Sequence, residues 1–292
     1  MAEILRAVTA GNFDGCHLGH QELFRVLRVE ALARNLVPTV ISFEPHTRHV
    51  LGIPGRPALL TTTEEKETFI RSLGLDFILL PFTREVAAQP FQEFVGKELI
   101  EKFGTRFLVL GHDHHFGAAG KGNFEAIVST FPDLPAIQLS AIYKDGELLS
   151  SSRIRDALEN GAVERANSLL GRSYRIHGRV VQGKRLGHTI GFPTANVQTG
   201  SYKLIPKFGS YVASVKLSDS SEHRAVVNIG IQPSIGDLPL AVEVHLLDFS
   251  GNLYGQMIDV DLLTFIRAEK KFESIDALKA QITADANFAR NF

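Results

Sequence analysis

A change of period near Gly171 restricts the fold of this chain more than any other feature. Before it, short apolar runs alternate with amphipathic stretches. Residues 4–10, VPTVISF (37–43), DFILLPF, RFLVLG and AIQLS read as strands. Between them QELFRVLRVEALARN puts Leu23, Phe24, Leu27 and Ala31 on one helical face. TTEEKETFIRSLG begins with capping-box spacing at Thr62 and Glu65 and can stop at Gly74. PFQEFVGKELIEKFG has proline in its first turn and glycine at its end, a further helix is expected near Asn123–Thr130, and SSSRIRDALENG reads as a serine-capped helix. Such alternation predicts a parallel sheet with helices on both faces, whose ligands gather at the carboxyl ends of the strands. After Gly171, YRIHGRVVQG, GFPTANVQ, GSYVASVKL, EHRAVVNIG, AVEVHLLDF and QMIDVDLLTFI are short strands broken by turn residues, followed by a closing helix near SIDALKAQITADANFA. That pattern predicts an antiparallel barrel or sandwich. The expected division is 1–168 and 169–292.

Composition narrows the function classes. Of 292 residues 44% are hydrophobic and 22% charged, as in a soluble globular protein, and the net charge of -1 gives no global field for nucleic acid or acidic lipid. No signal peptide and no apolar run near the ~20 residues of a membrane helix is read. A single cysteine, Cys16, excludes an intrachain disulfide and suits a reducing cytosol.

The first half carries GNFDGCHLGH, residues 11–20, between a strand and a helix. Helix N-termini favour anions, Gly11 and Gly15 let backbone approach a nucleotide, and His17 and His20 can both donate to α- and β-phosphate oxygens. A glycine loop with two surface histidines is the plain alternative. Ser150-Ser151-Ser152-Arg153-Ile154-Arg155 opens a helix; its serines can be caps, or with the two arginines a phosphate clamp. The clustered His112, His114 and His115 raise a metal reading, set against ordinary loop histidines. Nothing places a base and an orienting acid around Cys16 beyond the adjacent histidine.

In the second half Gly183-Lys184-Arg185-Leu186-Gly187-His188 suits a loop over phosphates, although it is no Walker A motif. Thr194 and Asn196 offer oxygen ligands on one face of an extended segment, suited to Mg²⁺ bound with ATP. An ordinary hairpin entering a strand is the alternative. In AVEVHLLDF, Glu243 and His245 alternate with the apolar Val242, Val244 and Leu246.

Taken together, GNFDGCHLGH, ISFEPH, LTTTEEK, GHDHHFG with Gly122-Asn123, SSSRIR, GKRLGHTIGFPTAN, VNIGIQPSIGD, AVEVHLLDF and FIRAEKKF resemble, in order and over essentially the whole chain, the bacterial riboflavin kinase/FAD synthetase family. The resemblance implies an N-terminal Rossmann-like nucleotidyltransferase domain and a C-terminal riboflavin-kinase barrel with a closing helix. It implies phosphorylation of riboflavin to FMN by Mg-ATP, then adenylylation of FMN to FAD with release of pyrophosphate, in the cytoplasm. Implied nucleotide-binding residues of the adenylyltransferase are Gly11, Asn12, Phe13, Asp14, Ser152, Arg153 and Arg155, with His17 and His20 catalytic. Asp113, His114 and Phe116 would contact the flavin nucleotide. In the kinase, Gly183, Lys184, Gly187, Thr194 and Asn196 would hold nucleotide and phosphate, Thr194 and Asn196 the Mg²⁺, Arg267 the flavin, and Glu243 would be the general base.

Two departures stand out: His114 where the family usually has an aromatic, and Cys16 where it usually has an aliphatic residue. They raise one rival reading, a kinase with an inactive or retargeted adenylyl site; a second rival, a flavin-binding regulator on a decayed enzyme scaffold, is opposed by intact HxGH, PTAN and Glu243. They also carry two expectations. A bulky reagent on Cys16 should block FAD formation, with ATP protecting, while sparing FMN formation, and adenylylation should fall below the reference histidine pKa of ~6.5 if only the neutral His114 ring stacks productively near FMN.

Overall fold

The computed structural model describes residues 4–52, 58–183, 190–200, 202–231 and 240–292. The chain forms two compact units, Met1–Ser151 and Ser152–Phe292.

In the first unit, strands β1 (Arg6–Ala10), β2 (Val37–Glu44), β3 (Asp76–Pro81), β4 (Thr105–Leu110) and β5 (Ala136–Gln138) form one sheet in the order β3-β2-β1-β4-β5. Every neighbouring pair is parallel. Both faces are covered, and the pleat shows why these runs lack polar alternation. Ala7, Val40, Phe107 and Val109 point into one core with Leu23, Phe24, Leu27 and Ala31 of helix α1 (Leu18–Ala33). Their neighbours Val8, Ala10, Ile41, Leu108 and Leu110 point into the other, with Phe91, Phe94, Val95 and Leu99. The order of strands reverses between β1 and β4, which is where ligands enter folds of this kind.

Local features refine the expectations from sequence. Helix α1 starts at Leu18, so HLGH forms its first turn rather than preceding it. A short helix α2 (Thr47–Val50) follows β2, and α3 (Thr63–Ser72) begins with the expected reciprocal capping box of Thr62 and Glu65. After α4 (Arg84–Ala88), the PFQEFVGKELIEKFG helix starts as α5 (Phe91–Glu93) and continues through Phe94–Lys102 in wider π-type winding. Helix α6 (Phe124–Thr130) is capped by the Asn123 side chain. A two-stranded hairpin, β6 (Tyr143–Lys144) with β7 (Glu147–Leu148), leads to α7 (Ser151–Glu159).

The second unit contains helix α8 (Val163–Leu170) and strands β8 (Tyr174–Val181), β9 (Ala195–Gln198), β10 (Gly209–Lys216), β11 (Glu222–Ile231), β12 (Leu240–Leu246) and β13 (Met257–Ala268). These six strands close into an antiparallel barrel in the order β10-β11-β12-β9-β8-β13. Its interior is filled by alternate residues such as Ile176, Tyr211, Val227, Val244 and Val260, all buried. The closing helix α9 (Ile275–Asn291) lays Ala286 and Ala289 on Val212, Val226 and Leu247 outside the barrel.

Candidate functional site

The loop after β1 is strained and then over-determined. Phe13, Gly15 and Cys16 have φ of 47°, 80° and 41°, a left-handed region that costs an ordinary residue about 1–3 kcal/mol. Three sets of bonds hold it there. The Asp14 carboxylate, buried, accepts from the Leu60 and Thr61 amides at 3.2 and 3.1 Å. The Asn12 side chain donates to Thr47 Oγ1 at 2.8 Å and accepts from the Thr47 amide at 3.2 Å. Beneath the loop Lys66, only 5% exposed, donates from Nζ to the Asn12 carbonyl at 2.8 Å and to Ser42 Oγ at 2.9 Å. Burial pushes the Lys66 ammonium pKa down, opposed by the nearby Cys16, Asp14 and Glu44.

The two histidines meet. His17 is the N-cap of α1, and its ring stacks on that of His20 at 3.7 Å and 18°. Gly19 makes room for this, since a Cβ there would lie 3.0 Å from His17 Cε1. Ser151 Oγ, at the start of α7, donates to the Asp14 carbonyl at 2.9 Å. Ser152, Arg153 and Arg155 continue α7 in the second unit. The first unit thus presents a helix N-terminus and paired imidazoles at a strained glycine loop, an arrangement able to stabilise charge growing on a phosphate.

The residues expected at the flavin nucleotide are placed differently from one another. Asp113 is exposed, whereas Phe116 is buried against Phe94. His114 uses both ring nitrogens on backbone: Nδ1 accepts from the Gly111 amide at 2.7 Å, and Nε2 lies 2.9 Å from the Ala10 carbonyl. Cys16 corrects the expectation of a reagent-sensitive thiol. It is 0% exposed, packs in the core under α1 and donates to the Phe13 carbonyl at 3.3 Å, because its left-handed φ turns the side chain inward. With no exposed surface, the sulfur meets a bulky reagent only when the fold opens locally.

In the barrel, strand register assembles what sequence had scattered. Arg267 is paired with Ser210, Ser210 with Asn228, Asn228 with Glu243, and Glu243 with Asn196. Paired residues share a face, so these five form one polar row across β13, β10, β11, β12 and β9. It is the outward row, since the flanking Val242, Val244, Val227 and Ile229 are buried inside. Asn196 also pairs with Val181 of β8, and its amide fills the space a side chain at 183 would need: a Cβ on Gly183 would fall 2.1 Å from Nδ2. His245, two residues along from Glu243, lies with Nδ1 2.8 Å from the Pro193 carbonyl and meets the Phe192 ring edge-on, which anchors the segment carrying Thr194. Lys184 and Gly187 lie outside the described residues. Arg267 donates to both carboxylate oxygens of Asp285 on α9, at 3.2, 3.0 and 2.8 Å. Sequence reasoning missed Asn228, Ser210, Asp285 and Lys66; outward alternation around Glu243 was the only signal, and it says nothing of partners on other strands.

Comparisons with known proteins also divide the chain in two. A family model described as FAD synthetase matches residues 3–153, and one described as riboflavin kinase matches residues 170–292. A bifunctional riboflavin kinase/FMN adenylyltransferase of Haemophilus influenzae is 38% identical over 98% of this chain and 94% of its own. The Escherichia coli K12 protein of the same description is 38% identical over 98% and 92%, and that of Bacillus subtilis 34% over 94% and 88%. A crystal structure described as a macrolide-efflux protein from Streptococcus pneumoniae superposes with a TM-score of 0.89 at 32% identity, covering 99% of this chain and 95% of that one. Among the described residues of this chain no helix is long and apolar enough to cross a membrane.

Proposed function

The chain belongs to the bifunctional riboflavin kinase/FMN adenylyltransferase family, and from that premise we propose how each half performs its reaction. It phosphorylates riboflavin to FMN and adenylylates FMN to FAD, with ATP as the donor in both steps. The change of activity falls, in our reading, at 168/169, within the interval 154–169 that neither family model covers. The one cysteine and this substrate set suit the cytoplasm.

For the kinase, the polar row supports Glu243 as the general base. Its carboxylate takes the proton of the ribityl 5′-hydroxyl as that oxygen bonds to the γ-phosphorus of ATP, and the bond from γ-phosphorus to the bridging oxygen breaks to release ADP. Asn196 and Asn228 flank Glu243 in register, where their amides can orient it. Thr194 and Asn196 supply hard oxygen donors beside a loop whose Gly183 is kept clear by close approach, a donor set that fits Mg²⁺. When bound, that ion neutralises phosphate charge. Gly183, Lys184 and Gly187 form the phosphate loop by resemblance. Arg267, held by Asp285, presents its remaining surface to the flavin.

For the adenylyltransferase, an FMN phosphate oxygen attacks the α-phosphorus of ATP directly, and pyrophosphate leaves. His17 and His20 donate to the charge that builds on the phosphate oxygens. Gly11, Asn12, Phe13 and Asp14 shape the nucleotide cradle, Asn12 and Asp14 by fixing the loop rather than by free side chains. Ser152, Arg153 and Arg155 clamp phosphate and Asp113 meets the flavin nucleotide, both by resemblance alone.

The stacked His17–His20 pair at the head of α1 is the observation that carries this reading. Product analysis from riboflavin plus Mg-ATP tests it. His17→Ala should stop at FMN, and Glu243→Ala should make FAD only when FMN is supplied. Loss of FMN formation in His17→Ala, or loss of FAD formation from supplied FMN in Glu243→Ala, would refute the assignment.

A further inference from the structure

We propose that His114 is a positioning residue for adenylyl transfer: its ring, as the Nε2–H tautomer, ties the carboxyl ends of β1 and β4 together, and protonation of the ring unfastens them. The proposal rests on the reading that this end of the sheet is the adenylyl site.

The tautomer follows from the bonds. Nδ1 accepts from the Gly111 amide, so it carries no proton, and the remaining proton on Nε2 is donated to the Ala10 carbonyl. Ala10 ends β1, and Gly111 directly follows β4. Ladder pairing between these neighbours runs only as far as Val8 with Leu108. Two residues further on the strands have parted, as they must for a ligand to enter where the strand order reverses. His114 spans that gap. The fit is close, since a Cβ on Gly111 would lie 2.8 Å from Nδ1.

The bridge reaches the catalytic pair through one ring. Phe13, from the loop after β1, is tilted against His114 at 6.1 Å and meets His20 edge-on at 5.3 Å. Phe116 closes the other side of His114, edge-on at 6.1 Å. A second proton on the ring would sit on Nδ1 and face the Gly111 N–H, donor against donor, so the bond to Gly111 could not persist. Burial opposes that proton and pushes the His114 pKa down; on its own loop Asp113 favours it and His112 opposes it.

The test follows FAD formation from FMN and FMN formation from riboflavin by the full chain between pH 5.0 and 8.0. Wild type is compared with His114→Gln, which keeps a donor and an acceptor without titrating, and with His114→Phe, which keeps only the ring. The ratio of adenylylation to phosphorylation by wild type should fall below the ordinary histidine range of ~6.5, approaching about tenfold per pH unit. Both variants should lose His114's part of that fall, whatever their rates at pH 8.0. Superimposable profiles, or a wild-type ratio that does not change, would overturn the proposal. Nitrogen NMR of histidine-labelled protein at pH 7.5 gives a readout independent of any variant: an unprotonated His114 Nδ1 is expected, and an Nδ1–H tautomer would sink the idea. Absence of FAD from wild type at pH 8.0 would instead overturn the adenylyl-site reading itself.

Discussion

Lys66 shows how little a residue's neighbours in sequence reveal. It stands among polar residues in the capping-box turn of α3, yet it is buried under a loop 54 residues away. Its ammonium holds the Asn12 carbonyl, and a hydrogen bond to a charged group contributes about 1.5–3 kcal/mol. Lys66→Met should therefore slow FAD formation from FMN by roughly 10- to 100-fold while leaving FMN formation intact, as steady-state assays of the two half-reactions would reveal. His114 adds a pH term to stability. Its folded-state pKa lies below the unfolded value of ~6.5, so its contribution is complete above that value and drains away as pH falls from there towards the folded pKa. Urea midpoints of the first unit should drop through that window in wild type and drop less in His114→Gln.

At the scale of elements, the sequence displays periods but not pairings. Alternation around Glu243 was enough to set it opposite Val242 and Val244, and both valines are buried as that requires. The partners Asn228 and Asn196 depend on how β11, β12 and β9 slide against one another, which no single strand encodes. The β-α alternation was legible because both faces of the parallel sheet are apolar and their helices amphipathic. The π-type winding of Phe94–Lys102 was not, since its apolar spacing looks helical either way. Two tests belong here. Gly183→Ala must displace the Asn196 amide and should abolish most FMN formation with little effect on FAD made from supplied FMN. Asp285→Ala leaves the half-buried Arg267 without its carboxylate; breaking such a pair costs about 3–5 kcal/mol at the buried limit and less here, which thermal unfolding of the second unit would register.

For the molecule as a whole, two family models match stretches that lie largely in different compact units, and each reaction has its proposed catalytic residue in a different unit. Mixing His17→Ala with Glu243→Ala should then restore FAD synthesis from riboflavin after a lag, with free FMN rising first; product chromatography over time would detect it, and a mixture that never forms FAD would contradict separable sites. Burial of Cys16 has a practical sequel. The chain has no other cysteine, so one alkylation event can be assigned without ambiguity. Its rate is a clock for opening of the first unit, to which the barrel, lacking any thiol, adds no background. Saturating ATP should slow the clock if the nucleotide braces the loop that Cys16 anchors, turning an unreactive sulfur into an occupancy gauge for the site above it.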